Sequence, residues 1–141
     1  MAKREINVVK HKTGWDDSCF GVERMTNSRG PGNVIMIEIQ AEHVTEVFTG
    51  FGEVNRSAEA VATYALQQYQ RWLKASVPVG VHLADQIMLP LAIAGQGQYV
   101  TMPLSQHSIT HIELIKRFLE IDVSAERVDH DQYVVHLNTA T

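Results

Sequence analysis

Residues Ser57 to Lys74 carry Ala58, Val61, Ala62, Ala65, Tyr69, Trp72 and Leu73 at helical spacing, so one face of this stretch is apolar and the other polar. A helix built this way has to lay its apolar face on another layer of structure. Ser57 is placed to cap its start, Glu59 lies in the first turn, and Arg71 and Lys74 lie in the last, charges that complement the helix dipole. The preceding residues supply a layer. Asn33–Gln40 and His43–Thr49 read as neighbouring antiparallel strands, and Gly50-Phe51-Gly52-Glu53 breaks the second.

The rest of the chain continues the mixture. Glu5–Lys10, with Ile6, Val8 and Val9 in a β-branched run, reads as a short strand. Residues 11–32 read as a long loop ending in Asn27-Ser28-Arg29-Gly30-Pro31-Gly32, with room for a strand around Phe20–Met25. Ser76-Val77-Pro78-Val79-Gly80 is a joint. A helix over Val81–Ala94 follows, with Pro90 expected to kink or split it. Then come a short strand Gln98–Thr101, a helix Ser108–Leu119, and a hairpin of 120–127 and 132–137 turning over Asp129-His130-Asp131. Strands interspersed with helices and closed by a hairpin imply an α+β fold, with a boundary near residues 76–80.

Composition narrows the function classes. At 141 residues, 45% hydrophobic and 20% charged, the chain is an ordinary globular one with enough surface to bury a core. No apolar run approaches the ~20 residues of a membrane helix. The single cysteine, Cys19, excludes an internal disulfide and suits the cytoplasm. A net charge of −4 gives no sign of a surface for long nucleic acid, although it leaves room for a pocket that takes one phosphate end.

Neither common nucleotide-binding glycine signature is present. Pro103-Leu104-Ser105-Gln106-His107-Ser108 is a polar turn entering a helix. His107 falls where free backbone N–H groups bind anions and where the dipole favours a neutral, nucleophilic imidazole. It also reads as a solvated or capping histidine. His107 and His111 are four residues apart, a spacing that can chelate a metal, but no third ligand is evident and a surface pair explains them as well. Asp85, early in its helix, reads as dipole complementation, with Gln86 solvated beside it. Phe48 and Phe51 flank Gly50, where an aromatic can stack on a base or simply pack at a strand end.

Four blocks taken together carry a resemblance. They are Glu42-His43-Val44-Thr45-Glu46-Val47-Phe48-Thr49-Gly50-Phe51-Gly52-Glu53, Ser57-Ala58-Glu59-Ala60-Val61-Ala62, Leu83-Ala84-Asp85-Gln86 with Leu89-Pro90, and Pro103-Leu104-Ser105-Gln106-His107. In this order and spacing they resemble the C-terminal portion of the RNA 3′-terminal phosphate cyclase family. The likeness runs from about residue 30 to about residue 121. It implies that residues 1–76 correspond to the latter half of a small inserted α/β domain, and residues 77–141 to the last α/β unit of the large domain.

The resemblance implies an enzyme that uses ATP and a divalent metal to convert an RNA 3′-phosphate to a 2′,3′-cyclic phosphate through a covalent histidine–AMP. His107 then corresponds to the nucleophile, and His82, Leu83, Ala84, Asp85 and Gln86 to an ATP-contacting segment. Phe51, or else Phe48, stacks near adenine, and no metal ligand is assigned in this chain. Family members are more than twice this long. The position of His82 is usually tyrosine and that of His111 usually asparagine. The N-terminal acid, arginines and glutamine that hold metal and phosphates in the family have no counterpart here, so the resemblance also implies a partner portion that supplies them. The alternatives are a non-catalytic cyclase-like scaffold for RNA processing, against which His107 counts, and an inactive truncated remnant.

Overall fold

The computed structural model describes residues 1–139. The chain is an α+β protein that divides into two compact units. One contains Met1–Gln40 and Val47–Arg71; the other contains Ala41–Glu46 and the chain from Trp72 onward.

The first unit opens with α1 (Ala2–Thr13), where the β-branched run had suggested a strand. Local propensity is overridden here by spacing and by the helix ends. Glu5 and Val9, one turn apart, are the buried positions, Lys10, His11 and Lys12 occupy the last turn, and Gly14 closes the helix in the left-handed conformation. Buried Glu5 accepts a hydrogen bond from Asn33 Nδ2 at 2.6 Å, which ties α1 to the entry of the first strand. The segment after α1 is a single 3₁₀ turn, Asp17–Cys19, followed by irregular chain. No strand forms around Phe20–Met25. That loop is anchored instead by Trp15, whose ring meets Phe20 and Tyr69.

Strands β1 (Val34–Gln40) and β2 (Thr45–Phe51) pair as a two-stranded sheet, and β2 continues through the expected glycine break as far as Phe51. The reason is helix α2 (Ala58–Ala75). A Cβ on Gly50 would stand 2.6 Å from the Val61 carbonyl oxygen, so this glycine lets strand and helix backbones approach closely rather than ending the strand. Val61, Ala62, Ala65 and Leu66 on α2 are buried along with Ile37 and Phe48. Ser57 accepts from the Ala60 N–H at 3.1 Å, as its place before the helix predicts.

The second unit contains α3 (Val81–Ala94), β3 (Gln96–Thr101), α4 (Gln106–Phe118), β4 (Ile121–Asp129) and β5 (Gln132–Thr139). Its sheet is antiparallel in the order β3-β5-β4. Register sets the face. Tyr99 lies opposite Val135, and Val135 opposite Ala125; Gly97 lies opposite Leu137, and Leu137 opposite Val123. These rows alternate with Gln98–His136–Ser124 and Val100–Val134–Glu126, so one side of the sheet is apolar and the other mixed. Ala84 and Met88 of α3 and Ile115 of α4 complete the core on the apolar side. Pro90 does not split α3. Pro90 and Gln86 are both exposed, so the hydrogen bond that Pro90 removes lies on the solvent side of the helix.

Two substitutions test this packing in thermal or denaturant unfolding. Gly50→Ala pushes a methyl into the Val61 carbonyl and is expected to cost about 1–3 kcal/mol. Thr101→Val is expected to be neutral or stabilising by about 1 kcal/mol, because the Thr101 hydroxyl is fully buried and has no hydrogen-bond partner among the described residues.

Candidate functional site

The turn from β3 into α4 carries the first candidate group. Ser105 sits before the helix in an extended conformation, and its Oγ accepts from the Ser108 N–H at 3.1 Å. Because Ser105 is the cap, α4 begins at Gln106, two residues earlier than the expected start at Ser108. His107 therefore stands inside the first helical turn and is exposed. The first N–H groups of a helix have no partner within it, and the cap takes only one of them, so the end of α4 around His107 keeps donors suited to an anion.

Helix α3 packs against α4 and supplies the second group. Asp85 reaches across the seam, and its Oδ1 lies 3.0 Å from His111 Nδ1. His111 is one turn beyond His107, so both histidines share a face of α4. His111 thus takes the contact with the acid. Among the described residues no three His, Cys, Asp or Glu side chains gather in a way that could hold a metal ion.

Beneath this seam Tyr99 of β3 is buried, and its hydroxyl donates to the Ala84 carbonyl at 3.0 Å. Burial first, and the nearby Asp85 charge second, push its pKa up to about 12. Ala84 is itself part of the core, Leu83 is half-buried, and His82 and Gln86 are exposed on the first turns of α3. The start of α3 has an unusual cap. Gly80 precedes the helix with no side chain to offer, and its N–H donates to the buried carboxylate of Glu46. Burial pushes the Glu46 carboxyl up; the Gly80 N–H and the neighbouring His82 pull in the opposite direction.

In the other unit, Phe48 is buried with its ring edge-on to Tyr69 at 5.9 Å, and Phe51 at the end of β2 is exposed. Of the two aromatics flanking Gly50, Phe51 is the one whose face is open to a ligand.

The sequence singles out His107 and Asp85 separately, but gives no sign that Asp85 meets His111 or that Tyr99 and Glu46 support α3. These partners lie between 14 and 34 positions from the groups they touch or influence, and no local pattern announces them.

Comparison with known proteins gives the family of the chain. The family model for RNA 3′-terminal phosphate cyclase matches residues 19–125. The chain belongs to that family. An RNA 3′-terminal phosphate cyclase of Pseudomonas aeruginosa is 32% identical over 140 residues, which is 99% of this chain and 41% of the relative. Relatives of the same name from Ectopseudomonas mendocina and Koribacter versatilis are 37% and 39% identical, over 87% and 86% of this chain and 36% and 34% of their own lengths. The chain therefore spans about two fifths, or less, of the curated relatives it matches.

The buried phenol gives a pH-dependent prediction. The folded chain holds the Tyr99 proton more tightly than the unfolded chain, so this contribution to stability is complete below pH about 10. It is lost as pH rises toward about 12. Tyr99→Phe is expected to cost about 1 kcal/mol at neutral pH through the lost bond to Ala84. It should also flatten the fall in stability between those two pH values. Denaturant unfolding of both proteins across that range checks both effects.

Proposed function

We propose that this chain carries the nucleophilic histidine and part of the ATP site of an RNA 3′-terminal phosphate cyclase, with His107 as nucleophile. The observation that carries the reading is the position of His107: exposed, in the first turn of α4, on the same helix face as the His111 that Asp85 holds. The reading assigns residues 1–76 to the latter part of the small inserted domain and residues 77–141 to the last unit of the large one. It assigns His82, Leu83, Ala84, Asp85 and Gln86 to the nucleotide segment, and Phe51 to stacking on adenine.

The chemistry follows from an imidazole at a helix N-terminus. A ring nitrogen of His107 attacks the α-phosphorus of ATP, a phosphorus–nitrogen bond forms, and the bond to pyrophosphate breaks. An oxygen of the RNA 3′-phosphate then displaces the imidazole and takes AMP. The neighbouring 2′-hydroxyl attacks the 3′ phosphorus, loses its proton, and expels AMP to leave the 2′,3′-cyclic phosphate. Free N–H groups at the start of α4 favour charge that develops on phosphate oxygens close to His107. Asp85 acts through His111, fixing that side of α4 rather than touching the nucleophile. The divalent metal used by the family finds no three-ligand cluster among the described residues. A reducing cytoplasm suits a chain whose one cysteine, Cys19, is exposed and free.

The test is to incubate the chain with α-labelled ATP and a divalent cation, alone and with a polypeptide equivalent to the rest of a family relative. Label is expected on the wild-type chain in the complemented sample, and a loss of at least about 100-fold in His107→Ala. Equal labelling of both removes His107 from the mechanism. ATP binding with no label on either would favour the non-catalytic scaffold.

A further inference from the structure

We propose that Glu46 is a positioning residue for the nucleotide segment: its buried carboxylate holds the first turn of α3 and so sets where His82, Asp85 and Gln86 stand. The proposal rests on the reading of that segment as part of the ATP site.

Helix α3 begins without the usual aids. Its cap residue, Gly80, contributes no side-chain hydrogen bond, and its first turn contains no acid. Both functions, capping and complementing the dipole, come from a residue 34 positions earlier in the chain. Glu46 is 3% exposed, and its carboxylate accepts the Gly80 N–H. A side chain at position 80 would have to displace the carboxylate. A Cβ there would stand 2.8 Å from one carboxylate oxygen of Glu46 and 3.1 Å from the other. One residue earlier, the Val79 N–H donates to the Val100 carbonyl at 3.3 Å. Successive N–H groups are thus pinned, one by the β3 backbone and the next by Glu46, immediately before the helix turns.

A buried carboxylate is a costly way to join two elements, since an apolar pair would avoid the loss of hydration. What it supplies is direction. A buried acceptor oxygen fixes the Gly80 N–H, and with it the rotation of the first turn that carries exposed His82. Ala84 and Met88 hold the inner side of α3 in the core, and the bond at Gly80 fixes the chain where it enters that helix.

Two readouts on the full chain test this. Amide hydrogen exchange from Val79 to Asp85 reports the clamp and needs no activity. AMP transfer from α-labelled ATP in the complemented sample reports its consequence. Glu46→Ala is expected to speed exchange of Gly80 and the first-turn amides about tenfold or more. It should raise the KM for ATP about tenfold with little change in the maximal labelling rate. Glu46→Gln keeps an oxygen for the Gly80 N–H and should restore most of both. If Glu46→Ala does not fold, Glu46→Asp, whose shorter side chain withdraws the carboxylate, takes its place. Unchanged exchange in the folded variant overturns the proposal, and so does faster exchange with an unchanged KM. Absence of label on the wild-type sample overturns the adenylylation reading instead. The KM is then replaced by the Kd for ATP of the same samples, with the same expected and overturning results.

Discussion

The second unit is organised by the one apolar face of a three-stranded antiparallel sheet, which both α3 and α4 use. Tyr99, Val123, Val135 and Leu137 form that face, and Ala84, Met88 and Ile115 close it. Two helices on one small face must lie side by side, and the seam between them is where Asp85 meets His111. The strands reach the seam chemically through Tyr99, and they also determine it. The β3–β5–β4 register decides which side of the sheet the helices can cover. Shifting the register by one residue would turn Gln98 and His136 inward in place of Tyr99 and Leu137.

Apart from the Thr101 hydroxyl, the polar groups set against this packing have named partners. Tyr99 spends its hydroxyl on the Ala84 carbonyl, Ser105 caps at Ser108, and Asp85 holds His111. Such bonds add little net stability apiece, but an unmade one in a dry interior is expensive. The first turns of α3 and α4 are therefore well specified, while His82, Gln86 and His107 are left exposed. Rigid helix starts with exposed polar side chains are what a site for a phosphate-bearing ligand requires.

Much of this was legible in the residues. The apolar stripe from Ala58 to Leu73 gave α2 to within a residue, and the run after Gly80 gave α3. The turn Pro103–Ser105 located the start of α4 to within two residues, the offset arising because Ser105 rather than a later residue is the cap. The stretch that misled was the first. Ile6, Val8 and Val9 favour extended chain locally, but the spacing of Glu5 and Val9 and the closing Gly14 serve a helix. Gly50 misled in a milder way. A glycine in a strand signals either a break or a close approach, and only the neighbouring helix decides which.

The amino-acid sequence by itself determined most of the elements from β1 onward, the Ser57 cap of α2 and membership of a cyclase family. All of these rest on local pattern or on blocks in linear order. The pairing of Asp85 with His111, the burial of Tyr99 beneath Ala84 and the capping of α3 by Glu46 were decided only by the tertiary structure. Each depends on groups from separate elements arriving within hydrogen-bond reach, and that distance is set by how helices and strands pack, which no spacing along the chain encodes.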